Sequence, residues 1–105
     1  MHSCGISKGR DDMMVKHMLA VVMDGIKDAE MLTGYAEEAK EHGKTNGEMA
    51  WFKTRAQNRY SMAERDWHDV DEELKTNKHD DEMLEALECH VNRSMAALRA
   101  RVEKL

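Results

Sequence analysis

Apolar side chains recur at helical spacing through almost the whole chain, and no stretch shows the strict alternation of a half-buried strand. The first stripe is Met14, Val15, Met18, Val22, Gly25, Ile26, Ala29, Leu32, Ala36 and Ala39. The second is Met49, Phe52, Ala56, Tyr60, Ala63, Trp67, Val70 and Leu74, and the third is Leu84, Leu87, Val91, Met95, Leu98, Val102 and Leu105. A period of about 3.6 residues puts each set on one side of a helix and leaves the charged residues on the other. The periodicity therefore predicts an all-α fold.

Two short breaks divide the stripes. Gly5 and Gly9 make residues 1–10 a loose leader, and Asp11 and Asp12 then offer acceptors and negative charge to the free N–H groups of a helix start. Gly43 suits the left-handed position that ends a helix. The run Gly43-Lys44-Thr45-Asn46-Gly47 is a turn cluster, and Thr45 with Glu48 forms a capping box for the next helix. Asn77 stops that helix, and Asp80, Asp81 and Glu82 open the third. The expected helices run over about 11–42, 46–76 and 81–104. Short turns make sequential helices antiparallel, so the expected architecture is one domain, an elongated up-down-up three-helix bundle. Helices of about 30 residues span roughly 45 Å. So long a bundle, with little core per residue, favours self-association.

The chain has 105 residues, 21 acidic against 16 basic, and a formal charge of −5. That balance excludes the strongly basic footprint of a nucleic-acid-binding domain. No apolar run approaches the roughly 20 residues that cross a bilayer, no basic residues flank an apolar face as in interfacial helices, and no signal-peptide core follows Met1. Two cysteines, Cys4 and Cys89, make no disulfide framework. The expectation is a cytoplasmic protein that binds neither membrane nor nucleic acid.

Charge is arranged along the helices. Lys53, Arg55, Arg59 and Arg65 occupy the earlier part of the second helix, whereas Asp66, Asp69, Asp71, Glu72 and Glu73 crowd its end, against the preference of the helix dipole. The hairpin then brings Asp80, Asp81, Glu82, Glu85 and Glu88 beside that acidic end, and Arg93, Arg99, Arg101 and Lys104 beside the basic one. In the first helix Lys8, Arg10 and Lys16 partly offset the acidic end, and Glu37, Glu38 and Glu41 the basic one. The residues Asp66, Asp69, Asp71, Glu72, Glu73, Asp80, Asp81, Glu82 and Glu85 thus form an acidic rim suited to a positively charged partner. Met13, Ala20, Met23, Met31 and Gly34 line the back of the first helix, a soft, small-residue face suited to a second copy.

Nucleophiles are few. Cys89 projects opposite the apolar stripe of its helix, and its neighbour His90 diverges from it by about 100°. There is no phosphate-cradling loop, no Cys-x-x-Cys and no His-Glu-x-x-His. Trp67 belongs to the core stripe, while Trp51 lies off it as a binding anchor or as a lid over the end of the core.

The stretch from Gly25 to Ala39 (Gly25-Ile26-Lys27-Asp28-Ala29-Glu30-Met31-Leu32-Thr33-Gly34-Tyr35-Ala36-Glu37-Glu38-Ala39) resembles the first helix of ferritin-like, rubrerythrin-type domains. Met62-Ala63-Glu64-Arg65-Asp66-Trp67-His68 is similar to their second-helix Glu-x-x-His site. Trp67 stands where that family places its histidine, and His68 follows one residue later. The resemblance implies a metal set of Glu30, Glu64 and His68, holding iron or manganese, assembled by dimerisation.

Taken by themselves the residues favour a small acidic helical module that binds another protein, as an adaptor or inhibitor, with no catalysis and no cofactor of its own. A homodimer, a ferritin-like metalloprotein and a phage-type inhibitor of a nucleic-acid enzyme are the further expectations.

Overall fold

The computed structural model describes residues 11–43, 47–77, 79 and 81–105. The leader at 1–10, Thr45 of the expected capping box and the rim residue Asp80 lie outside them. Three helices and no strand occur among the described residues: α1 (Asp12–Glu41), α2 (Gly47–Thr76) and α3 (Glu82–Glu103). Asp11 caps α1, its carboxylate accepting from the Met14 amide at 2.8 Å. Asp81 caps α3 in the same way, accepting from the Met83 amide at 2.9 Å. Each cap satisfies one amide that the helix leaves without a carbonyl. Beyond α1, Gly43 adopts φ 74°, which glycine enters without the clash a Cβ would cause.

The pairs that tie the helices show which ends meet. Asp28 of α1 holds Arg59 of α2 at 2.8 Å, and Tyr35 of α1 packs on Phe52 of α2 with ring centres 5.4 Å apart. Lys16 near the start of α1 reaches Asp81 at the start of α3 at 2.8 Å. At the far end Arg101 of α3 reaches Glu37 of α1 at 2.6 Å, and Lys40 donates to the Lys104 carbonyl at 3.3 Å. The molecule is rod-like, with principal extents of 63 × 21 × 17 Å. The α1–α2 seam is the most extensive of the three and the α2–α3 seam the least.

The α1–α2 seam is built from small residues. Gly25, Ala29, Ala36 and Ala39 of α1 and Ala56 and Ala63 of α2 are buried. A methyl placed on Gly25 would stand 3.4 Å from the Ala63 Cβ, so the backbones approach as closely as alanine contact allows. Larger aliphatic side chains fill the opposite half: Val15, Leu19, Val22 and Ile26 meet Val70, Leu84 and Val91 in one core cluster. Trp67, Tyr60, Leu74 and Leu87 pack on that cluster from its edge.

The buried set of α1 differs from the expected stripe. Leu19 and Thr33 are fully buried, whereas Met14 is 48% exposed and Met18 and Leu32 are only half-buried. Val15, Leu19, Val22, Ile26, Ala29, Thr33 and Ala36 step by four and three in turn. That seven-residue repeat keeps one seam facing its neighbours and favours a shallow left-handed crossing. Leu19 lies one turn from Lys16 and Thr33 one turn from Glu37, the two residues that pair with α3, so the third helix draws that column inward.

Thr33 carries the one buried side-chain oxygen without a hydrogen-bond partner among the described residues. Such a group loses its water without compensation, a penalty of about 1–3 kcal/mol. Replacing Thr33 with the isosteric valine should therefore raise the unfolding free energy by about 1 kcal/mol or more. Leu19→Ala should lower it by about 2–5 kcal/mol, while Met14→Ala changes little. Urea titration of the three variants followed by circular dichroism measures each effect.

Candidate functional site

The acidic end of the rod is assembled from the start of α1, the end of α2 and the start of α3. At its centre is a residue the sequence reading left unassigned, His79, between α2 and α3. Its side chain is only 6% exposed. Nδ1 lies 2.6 Å from an Asp12 carboxylate oxygen of α1, and Nε2 lies 3.1 Å from a Glu73 oxygen of α2. Asn77 donates to the same Glu73 oxygen at 3.0 Å.

A neutral imidazole donates from one nitrogen only, which would leave the other facing a carboxylate with its lone pair. The imidazolium donates from both. The hydrogen bond to Asp12 is the main reason that the His79 pKa is raised above 6.5; burial opposes it, and the bond to Glu73 adds to it. One cation thus clamps α1, α2 and the link to α3. It also places positive charge at the carboxyl end of α2, where the dipole favours it and where Glu73 alone would be misplaced.

Around this clamp the expected rim residues have different fates. Asp66, Asp69, Glu72, Glu82 and Glu85 are exposed, and no ion pair engages them among the described residues. Asp71 is half-buried and paired with Lys75 at 3.0 Å. Asp81 caps α3 and pairs with Lys16, whose hydrogen bond holds its carboxyl below the ordinary value of 3.8. Glu73 departs from the expectation of a surface residue. It is 8% exposed, because the register of α2 turns it inward towards His79. Asp69, Glu72, Glu73, Thr76 and Asn77 line a shallow depression of about 330 Å³.

The residues expected to mediate self-association do not share one face. Met13, Ala20 and Met31 are exposed. Met23, however, packs against the core, and Gly34 is half-buried with the Arg101 guanidinium 3.9 Å from where its Cβ would be. The physical reason is α3, which covers the flank of α1 on which Met23, Glu30 and Glu37 follow one another at seven-residue intervals.

Glu64 and His68, one turn apart on α2, line one shallow depression, but Glu30 does not join them there. Glu30 is half-buried on α1, while Glu64 and His68 are exposed on α2. Among the described residues no group of three or more His, Cys, Asp or Glu side chains converges as metal ligands would. Glu64 instead accepts from the Tyr60 hydroxyl at 3.0 Å. Burial and that bond push the Tyr60 pKa up to about 12. Cys89 is exposed and unpaired as a thiol.

At the opposite end Trp51 is 51% exposed. It stands edge-on to Phe52 at 5.0 Å, with the Arg55 guanidinium 4.5 Å above its ring. Together with Tyr35 it forms an aromatic cluster across the α1–α2 seam. Among the described residues no helix is long and apolar enough to cross a membrane. Comparison with known protein families, with curated proteins and with solved structures gives no match to the chain.

What the acidic end offers chemically is fixed negative charge on a stiff frame, held by a titratable clamp. Because the folded pKa of His79 is raised, its contribution to stability is complete below pH 6.5 and is lost as pH rises through the folded value. Glu37 and Asp81, depressed by Arg101 and Lys16, act in the other direction: their contribution is present above about 4.5 and 3.8 and is lost on acidification. Unfolding free energy should therefore fall from pH 6 towards pH 9, and His79→Gln should flatten that limb while leaving the acid limb in place. Urea midpoints across the pH range measure both limbs.

Proposed function

We propose that this chain is a small cytoplasmic protein–protein binding module of adaptor or inhibitor type, an antiparallel up-down-up three-helix bundle with no catalysis of its own. Its acidic end receives a basic surface on another protein. The observation that carries this reading is the contrast within that end. Asp12, Glu73 and Asp81 are consumed by His79 and Lys16, whereas Asp66, Asp69, Glu72, Glu82 and Glu85 stand exposed with no internal ion pair among the described residues. Surface carboxylates of this kind contribute little to the stability of their own fold. Placed together on a rigid end they raise the rate of encounter with a positive surface and select against a negative one.

A triple reversal, Asp69→Lys with Glu72→Lys and Glu85→Lys, should leave helicity and thermal midpoint nearly unchanged. It should weaken capture of a basic partner by about tenfold or more. In-cell crosslinking followed by mass spectrometry, with wild type and the triple variant side by side, is the measurement. Retention of the same crosslinked partners by the variant would remove the acidic end from the mechanism.

A further inference from the structure

His79 sits in the short link between Thr76, where α2 ends, and Asp81, the cap of α3. Its ring nevertheless reaches two helices, through Nδ1 to Asp12 at 2.6 Å and through Nε2 to Glu73 at 3.1 Å. Asp12 stands 67 residues away in sequence, so this one side chain fastens the first turn of α1 to the link. The charged groups that act on the ring are these two carboxylates. Asp81 is engaged by Lys16 instead, and Lys78 and Asp80 lie outside the described residues.

The two carboxylates differ in their access to water. The Glu73 side chain is 7% exposed and accepts also from Asn77, whereas that of Asp12 is 46% exposed. The imidazolium donates to both. A neutral ring keeps one N–H and turns a lone pair on the other carboxylate, a repulsive contact. Which bond survives is decided by the cost of leaving each carboxylate without its donor. That cost is high for a buried group and small for one that water can reach.

We infer that His79 is a proton-operated latch: the imidazolium fastens α1 to the α2–α3 link, and loss of the Nδ1 proton releases Asp12 while the Nε2 bond to Glu73 holds. The proton passes to water, and Asp12 exchanges the ring for water. Val15 and Leu84 stay buried in the core on either side, so the release is confined to the first turn of α1 and the link. Loss of the proton also leaves the acidic end more negative and adds Asp12 to its available carboxylates. A basic partner is then attracted more strongly above the His79 midpoint than below it. That consequence rests on reading the acidic end as a contact surface; the latch itself does not.

Nuclear magnetic resonance of the whole chain tests this from about pH 5 to 9, the range in which histidine titrates. The background is His17→Gln, which replaces an exposed residue and removes the imidazole on the next turn of α1. Ring nitrogen shifts give the midpoint and the tautomer of His79, and amide shifts follow the backbone. The midpoint should lie above 6.5, and the neutral ring should carry its proton on Nε2. The amides from Met13 to Lys16 should shift with that midpoint. Asp12→Asn should move the midpoint down and abolish the response in α1. A neutral ring protonated on Nδ1, a midpoint at or below 6.5, or α1 amides that do not follow His79 would overturn the latch. So would an Asp12→Asn midpoint equal to that of its parent. None of these results bears on the crosslinking comparison, which reads capture of a basic protein separately.

Discussion

Close contact between α1 and α2 is the constraint from which the rest of the molecule follows. Gly25, Ala29, Ala36, Ala56 and Ala63 let two long helices lie backbone against backbone, but alanine buries little apolar surface. The larger aliphatic residues are gathered in the half of α1 before Ala29 and the half of α2 after Ala63. There the two helices alone cannot cover Val15, Leu19, Val22, Ile26 and Val70. The third helix supplies the cover with Leu84, Val91, Met95 and Leu98. It meets α1 more than α2, which leaves a groove on one flank and brings Lys16 and Glu37 into ion pairs on the other.

At the acidic end this arrangement creates an electrostatic problem that His79 resolves. Three helix termini converge there, and Glu73 is carried inward by the same register that buries Val70. A buried carboxylate at the carboxyl end of a helix is opposed by both desolvation and the dipole. Protonated His79 answers both, and Asp12 shares the cation from the first turn of α1. The exposed acidic residues can then cluster outside the clamp with little consequence for folding. That separation between structural and available carboxylates is what the proposed contact surface rests on.

Most of the fold is legible in the chain because local chemistry suffices for it. Asp11 and Asp81 mark helix starts through their caps, Gly43 marks an end through its φ, and the α2 and α3 stripes name all of the buried apolar residues described on those helices. Less of the candidate site was legible. The acidic concentration is a matter of sequence spacing, so its general location could be read from the chain. Which carboxylates remain available could not, since the burial of Glu73 depends on how α2 packs and the pairing of Asp81 on Lys16, 65 residues away in sequence. His79 gave no signal, because its partners Asp12 and Glu73 lie on two other elements.

The amino-acid sequence alone determined that this protein is helical, where its helices begin and end, and that its charge is graded along them. Those properties depend on residues within a few turns of one another. Tertiary structure decided which column of α1 is core, because a helix with two neighbours buries the side between them and the chain does not state where the second will dock. It likewise decided that Met23 faces the core and Gly34 the Arg101 side chain of α3, that Glu30 does not join Glu64 and His68 in a ligand set, and that His79 closes the acidic end. Each of these depends on the rotation of one helix against another, which long-range packing sets and local periodicity does not.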